Sequence, residues 1–291
     1  MYTDFERHNV SQEEYFEMDG ISNSDVSLFE RSPLLYKSKV DGMWENNTST
    51  PMRIGSAFDC LLLEPSLFDD HYYVMPSGVQ EPTTDLQHLL VEAILLDMEP
   101  AEGFAYAGYK RPDPKSWERL KPWAAALTER GSREAISWRE YEGLKNMLDS
   151  TTGNPAASET INETEHQVVF TATHVASGLR VKGMLDMLGE DYVCDLKTTG
   201  EDVYKFPSKL YRYNYDRQIA HYCALAGVDY ARFIVVEREG LNECDCFELT
   251  HDRLEAGKKK MDAALMDIKR SQADGFKYRG HHYTNHGWRL I

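Results

Sequence analysis

The sequence predicts an α/β fold, in which helices flank a mixed β-sheet and further helices are added on its N-terminal side. Three strand-like runs follow one another between residues 165 and 197. Two more runs, at 230–237 and 243–249, lie between the amphipathic segments 213–226 and 250–273. This order of strands and helices is that of a mixed sheet covered by helices.

The first half of the chain is predicted to be mainly helical. The run Ser22-Asn23-Ser24-Asp25 is a helix-start signal, and the helix should end near Arg31-Ser32, because Pro33 disfavours helical structure in the residue before it. We expect further helices at 34–39, 52–63, 84–97, 116–130 and 138–149, and a short strand at 72–75. Loops or junctions are predicted at 45–50, 98–116 and 150–158.

We expect one domain preceded by a short arm. The chain has 291 residues, of which 42% are hydrophobic and 27% charged, as in ordinary globular domains. Residues 1–20 are polar and are predicted to form the arm. Within the domain, 21–291, the helical part should reach about residue 158, the sheet core should span about 159–275, and 276–291 should be a C-terminal tail.

Charge and cysteine content limit the classes of function. The net charge of −16 argues against a general nucleic-acid-coating protein, although it is compatible with a local basic channel. No apolar run approaches the ~20 residues of a transmembrane helix, and residues 1–5 do not resemble a signal peptide. The five cysteines are scattered, which indicates reduced thiols in a cytoplasmic protein.

The most informative segment is a predicted β-hairpin that carries two carboxylates and a lysine. Its first strand, 181–188, contains the motif G-M-L-D ending at Asp186, and its second, 192–197, contains Asp195 and Lys197. Because side chains alternate along a strand, Asp195 and Lys197 share a face, and a two- or four-residue loop brings Asp186 to the same face.

This hairpin has two interpretations. A D-x-K pattern on a strand is common, and exposed Asp and Lys residues usually carry solvated charges. Here Val193 and Cys194 precede Asp195, so we expect a buried strand, in which charges require a partner or a metal ion. Carboxylates suit Mg²⁺ or Mn²⁺, and the lysine can orient a water molecule or bind a phosphate.

Further motifs occur in order along the chain. They are I-S-N-S-D-V-S-L-F-E-R-S-P-L-L-Y-K near the N-terminus, G-S-A-F-D-C-L-L-L-E-P on the predicted helix 52–63, Glu165, and Gln218 with Tyr222 four residues later. Together with the hairpin, this set resembles the PD-(D/E)xK nuclease superfamily. It is most similar to the exonuclease VIII (RecE) type of nuclease domain and its phage relatives, from about Gly20 to Tyr222.

The resemblance implies a PD-(D/E)xK core and a metal-dependent 5′-to-3′ exonuclease that acts on double-stranded DNA and leaves 3′ single-stranded tails. It implies Mg²⁺ as the cofactor, with Mn²⁺ as a substitute. It also implies a homo-oligomeric ring, a trimer or tetramer, that works on DNA ends beside a single-strand annealing protein. The protein would then be phage- or prophage-encoded and act in the cytoplasm of a bacterial host, away from any membrane.

The same resemblance assigns roles to residues. Asp186, Asp195 and the backbone carbonyl of Leu196 would bind the central metal, and Glu165 would bind a second metal directly or through water. Lys197 would position or activate the attacking water. Gln218 and Tyr222 would support the lysine, the water or the scissile phosphate.

The sequence departs from the family pattern at Asp59. The family usually has histidine at the fourth residue after the glycine of the G-[ST]-A-F helix, which here is Gly55. Aspartate can still bind Mg²⁺ or Mn²⁺, so Asp59 is a candidate ligand. The alternative is that Asp59 is an exposed helix residue.

Contacts to DNA are expected from a small set of polar and basic residues, each of which could equally be a solvated surface residue. They are Ser24, Arg31, Lys37, Arg53, Lys182, Thr198 and the pair Lys110-Arg111. Other functional interpretations also stay open. They are a different PD-(D/E)xK nuclease, such as an endonuclease or a single-strand exonuclease, a catalytically silent DNA-binding subunit, and, least favoured, an acidic interaction protein.

Overall fold

The computed structural model describes residues 1–44 and 49–276, and the chain divides into two compact units. The first unit comprises Met1–Asp59 and Met147–Ile291, and the second, Cys60–Asn146, is inserted into it in sequence. The sequence had indicated one domain from residue 21 onward and did not predict this inserted unit. The predicted tail lies, apart from its first residue, outside the described residues, as does most of the predicted loop 45–50.

A six-stranded sheet forms the centre of the first unit, which confirms the α/β prediction. Its strands are β1 (Tyr2–His8), β4 (Glu165–His174), β5 (Arg180–Leu188), β6 (Tyr192–Thr199), β7 (Tyr230–Glu237) and β8 (Cys244–Glu248), in that spatial order. The pair β6–β7 is parallel and all other neighbours are antiparallel. The sheet is therefore mixed, as predicted. Because β6 and β7 are parallel, their carboxyl ends lie at the same edge of the sheet.

Helices surround this sheet. They are α1 (Gln12–Glu17), α2 (Asn23–Arg31), α3 (Pro33–Val40), α4 (Thr50–Leu63), α10 (Pro155–Glu163), α11 (Phe206–Arg212), α12 (Tyr215–Ala226) and α13 (His251–Ala273). Helix α2 begins at the predicted start signal, where Ser22 caps it in a reciprocal capping box with Asp25. In contrast, α10 lies where a junction was expected, and α11 was not predicted. Within the described residues, no helix has the length and apolar character needed to cross a membrane.

The predicted arm is part of the fold. Residues 2–8 form strand β1, which pairs antiparallel with β4 at the edge of the sheet, and α1 follows with a capping box at Ser11. Only Tyr2 of this strand is buried, so its sequence reads as polar although its backbone is paired. An edge strand with one buried side chain carries no clear period-2 signal.

Two glycines allow α12 to pack closely. On β5, a side chain at Gly183 would place its Cβ 2.7 Å from the Leu225 Cδ1 atom of α12. On α13, a Cβ at Gly257 would lie 2.3 Å from the Asp216 backbone oxygen of α12. A side chain at Gly257 would clash with backbone, so only glycine fits there, whereas a side chain at Gly183 would require Leu225 to move.

The second unit contains a two-stranded parallel sheet and its own apolar core. The strands are β2 (Tyr72–Val74) and β3 (Glu134–Ile136), and the helices are α5 (Phe68–His71), α6 (Asp85–Leu95), α7 (Pro100–Tyr106), α8 (Pro114–Arg130) and α9 (Trp138–Gly153), of which α9 continues into the first unit. Strand β3 was not predicted, and α7 lies inside the segment expected to be a loop. Trp117 packs against Gly103 in the core.

A buried histidine connects the edge strand to α12. The hydroxyl of Tyr2 donates to Nδ1 of His221 at 2.8 Å, and Nε2 of His221 lies 3.1 Å from the Lys182 backbone oxygen. Since that oxygen can only accept, Nε2 carries the proton and the ring is neutral. Burial lowers the pKa of His221 to about 4. The hydrogen bond to the Lys182 carbonyl opposes this shift, and the nearby Arg217 guanidinium adds to it.

This histidine should make stability depend on pH. The pKa of His221 is 6.5 in the unfolded chain and about 4 in the folded protein, so the unfolded state binds more protons between these values. Its contribution is present above about pH 6.5 and should fall by about 3 kcal/mol as the pH decreases to about 4. Urea unfolding of the wild type and of His221→Gln, which can keep both hydrogen bonds without titrating, measures the difference. An equal loss of stability in both proteins would contradict this.

Candidate active site

The predicted hairpin is present and opens at its two carboxylates. Strands β5 and β6 are registered only at the pairs Met187–Cys194 and Leu188–Val193, which leaves a four-residue loop and places Asp186 opposite Asp195. At the next step the N–H of Leu196 donates to Oδ2 of Asp186 at 2.8 Å instead of to the backbone of β5. Asp186 therefore takes the place of a ladder hydrogen bond where the strands separate.

Asp195 and Lys197 form a buried ion pair at this opening. Asp195 is 1% exposed, the Lys197 side chain is 17% exposed, and their charged groups are in contact. Apart from the Lys197 ammonium group, no described residue donates a hydrogen bond to either carboxylate oxygen of Asp195, so this lysine is its compensation. Burial opposes the charged form of Lys197, but the carboxylates of Asp195 and Asp186 outweigh it and raise the pKa of the amine.

A third carboxylate comes from helix α4. Asp59 lies in the same cavity as Asp186 and Asp195, and is not the exposed helix residue of the alternative interpretation. Burial raises the pKa of Asp59 to about 7, with Lys197 opposing this shift and Asp195 adding to it. Burial and the same neighbouring carboxylates also raise the pKa of Asp186 well above its usual value. Fully ionised, the cluster would carry more negative charge than Lys197 compensates, and the raised pKa values of Asp59 and Asp186 express that cost.

Gln218 and Tyr222 lie on the face of α12 that points towards the hairpin. The Gln218 amide donates to the Tyr222 hydroxyl at 3.1 Å, and Gln218 itself lines the cavity. Burial and the charge of Asp195 raise the pKa of Tyr222, which keeps its hydroxyl neutral. The Tyr222 ring also packs beside Gly183, about 3.1 Å from where a Cβ would lie, so the glycine of the G-M-L-D motif makes room for this tyrosine.

The cavity at this site has a volume of about 930 Å³ and is formed by residues of the first unit. Besides the carboxylates, Lys197 and Gln218, it is lined by two cations that were not among the sequence-based candidates, Lys209 and Arg238. A signal for the first was available: residues 203–215 contain three basic residues and four tyrosines but no acidic residue, in a chain of net charge −16.

The chemistry of the cavity fits a hard divalent cation. Its ligand atoms are carboxylate oxygens, and both oxygens of Asp195 are buried with no donor besides Lys197 among the described residues. Among the residues that the structure describes, however, no three His, Cys, Asp or Glu side chains are arranged to hold a metal ion. The Lys197 ammonium group contacts Asp195 directly. A cation that binds Asp195 must therefore compete with Lys197.

Glu165 is not brought to this cavity, in contrast to the role that the resemblance implied. It begins strand β4, its side chain is 62% exposed, and Arg7 of β1 holds its carboxylate at 2.5 Å. The hydrogen bond from Arg7 lowers the pKa of Glu165. Arg7 therefore binds Glu165 from the neighbouring strand β1, a strand that was not predicted from the sequence.

Lys182 is likewise not available to DNA. It is 6% exposed, and its ammonium group donates to the backbone oxygens of Tyr15 at 2.9 Å and Met18 at 2.6 Å. Burial lowers the pKa of Lys182. This lysine therefore anchors the end of α1 to β5, and its prediction as a DNA contact was wrong.

The other candidate residues differ in position. Ser24, Leu196 and Thr198 line the cavity. Arg31 is exposed at the end of α2, Lys37 pairs with Asp41 on α3, Arg53 is half-buried on α4, and Lys110-Arg111 is exposed in the second unit.

Comparison with known proteins supports the fold assignment. The sequence model of a PDDEXK-like domain of unknown function (DUF3799) matches residues 22–277. Among solved structures, the fold is similar to a Eubacterium rectale protein described as a "putative exonuclease", with a TM-score of 0.57 and 12% sequence identity over 93% of this chain and 89% of that chain. At this identity the likeness shows the fold alone. No curated protein matches the chain.

The ion pair should be measurable as an energetic coupling. Lys197→Met leaves Asp195 buried without a counter-charge and should destabilise the protein by about 3 kcal/mol. Asp195→Asn removes that charge, so the double variant Asp195→Asn/Lys197→Met should cost less than the sum of the two single variants. Urea unfolding of the four proteins near pH 7 gives the coupling free energy. Additive costs would show that the two side chains do not compensate each other.

Proposed function

This chain belongs to the family of PDDEXK-like domains of unknown function, and on that premise we propose that it is a divalent-metal-dependent nuclease that hydrolyses phosphodiester bonds. The observation that carries the proposal is the meeting of Asp186, Asp195 and Lys197 where the hairpin opens into a cavity of about 930 Å³. Two acids and a lysine at the end of paired strands provide both a cation site and a positive group for a phosphate.

In this proposal Asp186, Asp195 and Asp59 hold the metal ion, and the Leu196 carbonyl is a further candidate ligand. Carboxylate oxygens favour Mg²⁺, for which Mn²⁺ can substitute. When bound, such an ion supplies Lewis acidity and lowers the pKa of a water ligand. Because these three carboxylates share only one lysine, the ion also removes the electrostatic cost of burying them together.

The chain's own residues have defined tasks. Lys197 contacts Asp195, and if a cation took its place there, the ammonium group would be free to face the scissile phosphate or the attacking water. Gln218 is held by Tyr222 and presents its amide oxygen to the cavity, where it can accept a hydrogen bond from water. Thr198 lines the same cavity and can donate its hydroxyl to a phosphate oxygen.

We further propose that the substrate is the end of double-stranded DNA, digested from 5′ to 3′ to leave 3′ single-stranded tails for annealing. The ordered motifs from Gly20 to Tyr222 support this, since they resemble the exonuclease VIII type of domain. The similar fold of a protein described as an exonuclease is consistent with it. A homo-oligomeric ring and a single-strand annealing partner belong to the same proposal. Several subunits sharing one basic channel would suit a chain of net charge −16.

Cleavage of end-labelled DNA tests this proposal. Linear duplex labelled at either end should lose the 5′ label first, in Mg²⁺ or Mn²⁺ and not in chelator, while a covalently closed circle stays intact. Asp186→Asn and Lys197→Ala should each reduce the rate at least about 100-fold, because they remove a metal ligand or the cation at the reacting group. Glu165→Gln is the matched control and should retain the rate, since Glu165 lies outside the cavity.

The other outcomes separate the alternatives. Cutting of the circle would indicate an endonuclease, and cutting of single strands alone would indicate a single-strand exonuclease. DNA binding without cleavage in either metal would contradict the proposal and favour a silent binding subunit. A fully active Lys197→Ala protein would contradict the assigned centre.

A further inference from the structure

Two cations in the cavity have no task in the chemistry above. We propose that Lys209 and Arg238 bind a second phosphate of the substrate, the one next to the phosphate that is cleaved. This inference rests on the proposed nuclease function. It identifies residues that position the nucleic-acid strand next to the phosphate that is cleaved.

Among the described residues, the guanidinium of Arg238 has no carboxylate partner. It directly follows β7, and its backbone N–H donates to the Thr199 oxygen at the end of β6 at 2.7 Å. Its Nε atom is buried without a hydrogen-bond partner, and no ion pair joins its guanidinium to the described part of the chain. Gly200 leaves room for it, since a Cβ there would lie 3.0 Å from Nη2 of Arg238. A buried donor of this kind calls for an acceptor that the folded chain does not provide.

Lys209 lies on the same side of the cavity. It extends from α11, its side chain is 14% exposed, and its ammonium group donates to the Thr199 hydroxyl at 2.6 Å. The carboxylate of Glu201 lies 3.7 Å away but is 53% exposed, so solvent weakens its hold on the lysine. Two donors of Lys209 therefore stay available, beside a guanidinium that offers several more.

The distance from the reacting group suits a neighbouring phosphate. Asp195, Lys197 and Thr199 share one face of β6, because side chains alternate along a strand. At about 3.3 Å per residue, Thr199 lies about 7 Å beyond Lys197. Adjacent phosphates of a nucleic-acid strand are separated by a comparable distance, so one strand can contact Lys197 and the Thr199 region with consecutive phosphates.

The surroundings favour a nucleic acid over a free phosphate ion. Tyr213 lines the same cavity and is 49% exposed, so its ring offers a stacking face for a base. The cations are also concentrated here against an overall charge of −16, which would repel a polyanion elsewhere on the chain. A nucleic acid can use all of these features, since its phosphates can bind the two cations and its bases can stack on Tyr213.

Binding measurements can test this inference independently of cleavage. We would use Asp195→Asn as the parent, because it disables the proposed metal site and leaves every cation in place. Adding Arg238→Gln or Lys209→Gln should weaken binding of a fluorescent duplex with a short overhang about tenfold, the loss of one charge-assisted contact. Each should also reduce the slope of log K against log salt concentration by about one.

Matched controls are available in the same segment. Lys205 is 57% exposed and paired with Asp202, and Arg212 is exposed, and neither lines the cavity. In the parent background, Lys205→Gln and Arg212→Gln should bind within about twofold of the parent. Thermal melting of every variant shows whether it is folded.

Neutral linkages locate the contact. In a series of duplexes with one methylphosphonate each, one position should weaken binding to the parent but have no further effect on the Arg238→Gln protein. The inference is overturned if the Arg238 and Lys209 variants bind like the parent and its controls. Cleavage by the wild type would still support the proposed function in that case. If the parent did not bind DNA and the wild type did not cleave it, both the proposed function and this inference would be contradicted.

Discussion

The buried ion pair between Asp195 and Lys197 is the interaction on which the site depends. A carboxylate that is 1% exposed requires a counter-charge, and a lysine two residues later on the same strand face provides it. Asp186 is then drawn into the opened hairpin by the N–H of Leu196, and Asp59 completes an acidic cluster. Because burial raises the pKa values of Asp186 and Asp59, full ionisation of the cluster is costly without a further cation, and this makes it a candidate cation site.

Close helix packing fixes the remaining geometry. Gly183 makes room for the Leu225 and Tyr222 side chains of α12 against β5, and Gly257 lets α13 approach the backbone of α12, so Gln218 and Tyr222 are held beside the hairpin. On the opposite side of the cavity, Gly55 brings α4 near Thr198, since a Cβ at Gly55 would lie 3.4 Å from the threonine hydroxyl oxygen. The glycine of the G-M-L-D motif therefore has a packing role that is independent of any chemistry, whereas a Cβ at Gly55 would make only an ordinary contact.

Local patterns were sufficient for the central elements and insufficient for contacts between distant segments. Strand β7 was predicted with its observed bounds, and Gly227 ends α12 in the left-handed conformation as expected, because both depend on neighbouring residues. The hairpin cluster was also predictable, since strand alternation and loop length determine it. Glu165 and Lys182 were misassigned because their partners, on β1 and after α1, are more than 150 residues away in sequence.

Binding of Mn²⁺ tests the central claim, that the carboxylates of the opened hairpin form a cation site, most directly. Titration calorimetry would compare the wild type with Asp186→Asn, Asp195→Asn and the control Glu165→Gln, each checked for folding by its melting transition. The account predicts saturable binding to the wild type and to Glu165→Gln, with at least a tenfold weaker affinity in both aspartate variants. Undiminished binding to a folded Asp195→Asn protein, or its loss in Glu165→Gln, would contradict the account.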